Sequence, residues 1–360
     1  MNERHEKSVP RQELEVLEKY LIESPEHEIQ EAAHYIFERV KLNIPKLQNT
    51  GEEALAPRFK AVFERVNKYL CVTYQNIGIN YKNLNDFARD IKANIGKIPA
   101  DIDLIVGVPR SGMLAAVIIS ENLNIPCESL DMFLDGKTIP FLSTCRKLFN
   151  QREVHNVLII DDSIRTGESM DFVREQVSKA NLDMKFNIKY AAVYGFSTCA
   201  AKIDFWIMNC EQPRVFQWNY LNHFIVQQSC WDIDGLLCLD PTDEQNDDGI
   251  EYEKFLRNAR PIMIPKYEIL AIVTSRLEKY REPTEEWLSR HGVKYKELYM
   301  FDAATAEERR RMGMHAGFKA KVYKSLNSAY FFYESDRKQA IEISKLSGKP
   351  CFCTTTDELF

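Results

Sequence analysis

The sequence predicts an α/β protein of two doubly wound parallel-sheet (Rossmann-like) domains behind an N-terminal helical extension. Three observations predict it. From about residue 103 onward, short apolar runs that end on polar residues alternate with segments of helical periodicity. Two of the runs end on paired aspartates: Val157–Ile160 on Asp161 and Asp162, and Val226–Trp231 on Asp232 and Asp234. Finally, a chain of 360 residues is long for one core and suits about two domains.

Composition bounds the function. Hydrophobic residues at 45% and charged ones at 28% describe a globular, soluble chain. A formal net charge of -6 gives no electrostatic reason to expect a nucleic-acid partner. No apolar run approaches the roughly 20 residues of a membrane span, and the N-terminus has no signal-peptide core. The cysteines are scattered without metal-ligand spacing, so they read as reduced thiols in a cytoplasmic protein.

Residues 1–72 read as helical, because LEVLEKYLIES, EIQEAAHYIFERV and RFKAVFERVNKYL repeat apolar residues at helical spacing. They form either a packing or homodimerisation appendage or a hood for an acceptor. The first sheet domain is placed at 73–218. Asp103–Val108 is a buried strand, Pro109-Arg110-Ser111-Gly112 a turn, and MLAAVIISENL a helix. CESLDMF follows as a strand. The stretch Leu134–Lys147 is irregular because of Gly136 and Pro140, and it carries Lys137, Arg146 and Lys147. After the acid pair come the helix MDFVREQVSKA and the strands Ile188–Tyr194 and Ile203–Met208. The polar and aromatic stretch NCEQPRVFQWNYLNHF contains the boundary to a second domain at 219–360.

Asp161 and Asp162 end a strand buried on both faces, and a short turn then leads into a helix. Loop amides and a helix N-terminus offer N–H donors to an anion there. Gly167 lets the backbone approach closely, and Thr166 and Ser169 add hydroxyls. Carboxylates beside a phosphate cradle suit a ligand with both hydroxyls and phosphates, accompanied by Mg2+. The motif resembles the ribose-phosphate signature of the type I phosphoribosyltransferases. The resemblance implies that Asp161 and Asp162 take the ribose of phosphoribosyl pyrophosphate (PRPP). Ser163 and Arg165 through Thr166, Gly167, Glu168 and Ser169 would then surround its 5-phosphate. Glu168 departs from the small residue many members have. Pro109–Gly112 resembles the family's pyrophosphate loop, and Leu134–Lys147 its mobile loop, where Lys137, Arg146 and Lys147 are the basic candidates.

In the second domain, Asp232-Ile-Asp234-Gly235 puts two carboxylates at a strand end, one able to attack phosphorus and the other to exchange protons. Downstream come Thr274 and Ser275 at the end of a strand, Lys319 and Lys321 in GFKAKVYKS, and Glu334 with Asp336 after another apolar run. This order resembles the four motifs of the haloacid-dehalogenase (HAD) superfamily phosphatases. By that resemblance Asp232 is the nucleophile, Asp234 the general acid/base, Thr274 a phosphoryl hydrogen-bond donor and Lys319 the neutralising cation. Asp232, Asp234, Glu334 and Asp336 would form the Mg2+ site, with Glu-Ser-Asp a variant of the last motif. The segment DPTDEQNDDGIEYE reads as a mobile acidic loop, too short for a large cap. His291 and His315 read as helix-end or surface residues.

Together the two resemblances imply a bifunctional enzyme. It would transfer 5-phosphoribosyl from PRPP to an acceptor and then hydrolyse the 5-phosphate. A product ending in bare ribose fits a sugar or glycan hydroxyl as acceptor, as in polysaccharide biosynthesis. The alternatives are nucleobase transfer with an attached nucleotide phosphatase, and a PRPP-sensing regulator.

Overall fold

The computed structural model describes residues 9–24, 36, 39–40, 43, 47, 53–62, 65–66, 79–136, 154–197, 201–305, 307–308 and 315–360. The chain divides into two compact units: Asn80–Trp218, and Met1–Ile79 together with Asn219–Phe360. In the N-terminal stretch, helix α1 (Val9–Glu23) buries Leu14, Leu17 and Leu21 at helical spacing. Arg39 and Arg58 form ion pairs with its Glu13 and Glu18.

Within Asn80–Trp218, strand β1 (Asn80–Lys82) leads to α2 (Leu84–Ala93), which opens with a reciprocal capping box between Asn83 and Asp86. Then follow β2 (Leu104–Gly107), α3 (Gly112–Leu123), β3 (Cys127–Ser129), α4 (Leu130–Leu134), β4 (Asn156–Ser163), α5 (Glu168–Lys179), β5 (Asn187–Gly195), β6 (Phe205–Asn209) and β7 (Arg214–Phe216). Five strands form one parallel sheet in the order β3-β2-β4-β5-β6, and β1 pairs with β7 in a separate parallel ribbon. Strand β4 lies at the centre, and its alternate residues feed two cores. Leu158 and Ile160 pack with Phe87 and Ile91 of α2 and Ala115 and Ile119 of α3. Val157 and Ile159 pack with Met170, Val173 and Val177 of α5. A strand enclosed in this way keeps polar side chains only at its ends.

The strand expected over CESLDMF is shorter than its apolar content predicts. It stops at Ser129, whose hydroxyl accepts from the Met132 amide at 3.3 Å and so starts α4. The basic loop candidates Lys137, Arg146 and Lys147 lie outside the described residues.

The remaining unit adds β8 (Ser229–Trp231), α6 (Ile250–Asn258), β9 (Ile269–Leu277), α7 (Arg281–Arg290), β10 (Tyr295–Phe301), α8 (His315–Ser325), β11 (Phe331–Glu334), α9 (Arg337–Ser347), β12 (Cys351–Cys353) and β13 (Glu358–Leu359). The sheet order is β10-β9-β8-β11-β12-β13, parallel except for β13. Cys230, Ala271, Val273 and Phe332 form one face and pack with Ala316 and Tyr323 of α8 and Ala340 and Ile343 of α9. The acidic segment read as a mobile loop ends in the first turn of α6, and Asp247 caps that helix by accepting from the Gly249 and Tyr252 amides, each at 2.9 Å. Strand β9 runs past the hydroxyl pair to Leu277, because Arg276 and Leu277 are buried as well. Among the described residues no helix is long and apolar enough to cross a membrane.

One buried cation closes this unit. The Lys349 ammonium follows the left-handed Gly348 and donates to the carbonyls of Tyr323, Leu326 and Ala329 at 3.0, 2.8 and 3.0 Å. Two of these acceptors lie at or just beyond the C-terminal turn of α8, where cations are favoured. Lys349→Met should therefore lower stability by about 2 kcal/mol, since it removes three hydrogen bonds from a charged donor, although Tyr323 and Leu326 keep backbone donors. Urea unfolding is the measurement; a loss below about 0.5 kcal/mol, the range of ordinary surface substitutions, would show that the carbonyls find other partners.

Candidate functional site

Two sets of sequence-predicted residues converge, one in each unit. In Asn80–Trp218 the centre is the carboxyl end of β4. Asp161 Oδ1 accepts from the Asp162 amide at 2.8 Å, and Asp162 Oδ2 accepts from the Trp218 indole N–H at 2.6 Å. Burial pushes the proton affinity of both acids up, and the adjacent Asp162 charge adds to the effect on Asp161, whose pKa reaches about 8. The Trp218 bond and the nearby Arg214 charge act the other way on Asp162.

Strand β2 lies beside β4, so the turn after β2 opens at the same sheet edge. In that turn the Pro109–Arg110 peptide is cis. Pro109 and Arg110 are exposed, Ser111 is half-buried and Gly112 is buried. Gly112 has a specific reason to be glycine. A Cβ there would lie 2.6 Å from the Ile160 carbonyl oxygen and 3.1 Å from Asp161 Oδ1. The start of α3 is thereby set against the acid pair.

The segment after Ser163 turns at Gly167, which has φ +83 and precedes α5. A Cβ on Gly167 would meet Lys202 Cγ at 2.6 Å, and Lys202 is itself paired with Asp171 at 2.6 Å. Arg165 and Thr166 are half-buried, and Glu168 and Ser169 are exposed at the first turn of α5. Arg214, from β7, donates to the Ile164 and Cys210 carbonyls at 2.7 and 2.9 Å and so joins the ribbon to the loop after β4.

In the other unit, Asp232, Asp234, Thr274, Lys319, Glu334 and Asp336 line one cavity of about 480 Å³. Lys319 is 1% exposed and donates to Asp232 Oδ2 at 2.6 Å, Glu334 Oε2 at 2.6 Å and Gln339 Oε1 at 3.0 Å. Lys321, on the other side of the helix, is exposed, so Lys319 is the lysine of this cluster. Burial raises Glu334 to about 7 against the opposing pull of Lys319. The fully buried Arg276 grips Asp234 with Nε at 3.1 Å from Oδ2 and Nη2 at 2.6 Å from Oδ1. Gly235, at φ +74, allows a close crossing, since a Cβ there would lie 2.4 Å from Ser335 Oγ.

The expected four-carboxylate metal centre is not a ready-made one. Among the described residues no group of three or more acidic, histidine or cysteine side chains is arranged to hold an ion. The physical reason is that Lys319 already neutralises Asp232 and Glu334, and Arg276 neutralises Asp234. Asp232 Oδ1 is the exception: buried, and without a hydrogen-bond partner. It fits an incoming electrophile or a cation, and Asp336 lines the same cavity. Sequence reasoning missed Arg276, Asp240, Tyr252, Gln339 and Trp218, and placed His315 at a helix end without its position on the cavity wall.

Residues 73–224 match the phosphoribosyl transferase domain family, so a phosphoribosyltransferase domain of type I is supported over that stretch. Across 153 residues the chain is 25% identical to the xanthine-guanine phosphoribosyltransferase of Idiomarina loihiensis, covering 41% of this chain and 89% of that protein. Among solved structures, a purine phosphoribosyltransferase from Pyrococcus horikoshii Ot3 aligns at 24% identity and a TM-score of 0.27. That alignment covers 39% of this chain and 92% of the other. A chain of the Pnkp1/Rnl/Hen1 RNA repair complex aligns at 12% identity and a TM-score of 0.24, covering 76% of this chain and 94% of its own.

Two outcomes follow from the acid pair. Gly112→Ala should cut PRPP-dependent pyrophosphate release at least about tenfold, because the methyl must displace backbone beside Asp161; an unchanged rate would show that the loop yields freely. Asp161 holds its proton to about pH 8 when folded, against an ordinary value of 3.8. The folded state therefore binds the extra proton across that window, and stability falls as pH rises through it. Urea midpoints of the wild type should drop relative to Asp161→Asn over the same range, and parallel curves would reject the raised affinity.

Proposed function

We propose that the Asn80–Trp218 unit transfers the 5-phosphoribosyl group of PRPP to a nucleobase, and that the Asp232 cavity then hydrolyses the product's 5-phosphate. The observation that carries the transfer half is the close approach of Gly112 to Asp161. It brings the turn suited to pyrophosphate against the acids suited to ribose, within the stretch that matches the transferase family.

In this reading the ribose hydroxyls donate to Asp161 and Asp162. The 5-phosphate accepts from the loop Arg165–Ser169 and the start of α5, where the helix end favours negative charge. The pyrophosphate sits on Pro109–Gly112 beside Arg110. The bond from C1 to pyrophosphate breaks with its electron pair on the leaving group, and a ring nitrogen of the acceptor bonds to C1 and gives its proton to the released pyrophosphate or to water. Mg2+, when bound with PRPP, supplies charge neutralisation for the departing pyrophosphate. The likeness to a xanthine-guanine phosphoribosyltransferase supports a purine-type acceptor. A sugar hydroxyl, the acceptor first expected, has no comparable support.

For the hydrolytic half the supporting observation is the buried, unpartnered Asp232 Oδ1 beside Lys319 and Thr274. That oxygen would attack phosphorus, and the ester bond would break with its electrons on the leaving oxygen, which takes up a proton. Water then hydrolyses the aspartyl-phosphate to free phosphate. Lys319 balances the charge of the phosphoryl group, Thr274 hydrogen-bonds it, and Asp234, held by Arg276, exchanges the protons. Asp232 and Asp336 would hold a Mg2+ ion, which supplies further charge neutralisation at phosphorus.

Incubation with PRPP, Mg2+ and a panel of purines, pyrimidines and glycans, read by mass spectrometry, tests the whole scheme. Wild-type protein should yield a nucleoside, with pyrophosphate and phosphate in equal amounts. Asp232→Asn should instead accumulate the nucleoside 5′-phosphate while pyrophosphate release continues. Asp161→Asn combined with Asp162→Asn should stop pyrophosphate release but leave hydrolysis of p-nitrophenyl phosphate intact. Identical products from wild type and Asp232→Asn would detach the hydrolase from the transferase. A ribosylated glycan would return the acceptor to a sugar hydroxyl, and absence of pyrophosphate with every acceptor would favour a PRPP sensor.

A further inference from the structure

Resting on the phosphoribosyl-transfer reading, we propose that Trp218 is a positioning residue for the ribose of PRPP, acting through Asp162 by the hydrogen bond from its indole N–H. The bond spans 56 residues of sequence and measures 2.6 Å, short for a nitrogen donor and in keeping with a charged acceptor. The indole cannot swing away cheaply. It stacks on Phe216 at 4.6 Å with planes 7° apart, and Phe87 of α2 lies against it at 4.7 Å. Phe216 in turn stacks on Tyr194 of β5 at 5.4 Å. The donor is therefore held by three aromatic rings drawn from three elements.

This arrangement makes the two acids unequal. Asp162 faces the indole N–H on Oδ2, the Ser163 hydroxyl at 3.5 Å from Oδ1, the Arg214 charge from β7, and the carboxyl group of Asp161. Asp161 accepts from the amide of Asp162 and carries the like charge of Asp162 against it. Burial raises the proton affinity of both acids; the Asp162 charge adds to it at Asp161, whereas the indole donor and the Arg214 charge oppose it at Asp162. Asp161 Oδ1 is held by the Asp162 amide and Asp162 Oδ2 by the indole, while Asp162 Oδ1 has only the long 3.5 Å contact from the Ser163 hydroxyl, so Asp161 Oδ2 and Asp162 Oδ1 are the oxygens left to meet a hydroxyl. The aromatic ribbon thereby orients the ribose-binding acids without itself touching the sugar.

Trp218→Phe keeps a ring in the stack and removes only the N–H donor. The KM for PRPP should rise about tenfold or more, the effect of losing a hydrogen bond to a charged group, with kcat changed less than about threefold. Without the donor Asp162 binds a proton more readily, so the acidic limb of kcat/KM for PRPP should move up by about one pH unit. Wild-type KM and an unmoved limb in Trp218→Phe would overturn the inference. Should that variant fail to fold, 15N-labelled indole resonances of the intact protein decide. Of the four tryptophans, one should give a strongly downfield N–H signal that moves with pH and is displaced by Asp162→Asn. Four signals indifferent to both changes would overturn the inference. A wild type that neither binds PRPP in calorimetry nor releases pyrophosphate would instead sink the transfer reading on which it rests.

Discussion

Enclosing a parallel sheet on both faces leaves its strands nowhere to carry polar chemistry except their ends, and both units obey that constraint. Strand β4 runs through two cores before it reaches Asp161 and Asp162. Strand β8 is wholly buried before the chain reaches Asp232 and Asp234. The acids then sit partly desolvated, where an unpaired charge is expensive, so each must be answered by a proton, a donor or a cation. The layout of each site is largely the record of how that demand is met.

The two units meet it differently. Around Asp161 and Asp162 a raised proton affinity, a backbone amide and an indole N–H share the load. Around Asp232 the answer is cationic, with Lys319 between Asp232 and Glu334 and Arg276 on Asp234. The first solution leaves a site that gains by meeting hydroxyl donors. The second leaves Asp232 Oδ1 buried and without a hydrogen-bond partner while Lys319 holds the other oxygen.

What the sequence revealed follows the same division between local and distant. The strand ends and the helix after Gly167 were legible because each depends on neighbours a few residues away, whereas the reasons Gly112, Gly167 and Gly235 must be glycine lie with the distant Ile160, Lys202 and Ser335. The choice between Lys319 and Lys321 is local too: Ala316, Lys319, Ala320 and Tyr323 form one buried stripe at helical spacing, which excludes Lys321. CESLDMF misled because its apolar residues suit a strand as well as a helix, and only the Ser129 cap decides. Arg276 and Trp218 were illegible for another reason. Their partners lie 42 and 56 residues away, and nothing in a tryptophan or an arginine signals which acid it will meet.

The distance from Asp162 to Trp218 also matters during synthesis. A chain emerging from the ribosome presents β4 and its acids long before the aromatic ribbon that completes them. For the time needed to make 56 more residues, the pair lacks its indole donor. Nascent protein therefore passes through an interval in which the acids exist but their orientation does not. In the proposed transfer, recognition of the ribose by this unit waits until Trp218, its last residue, has left the tunnel.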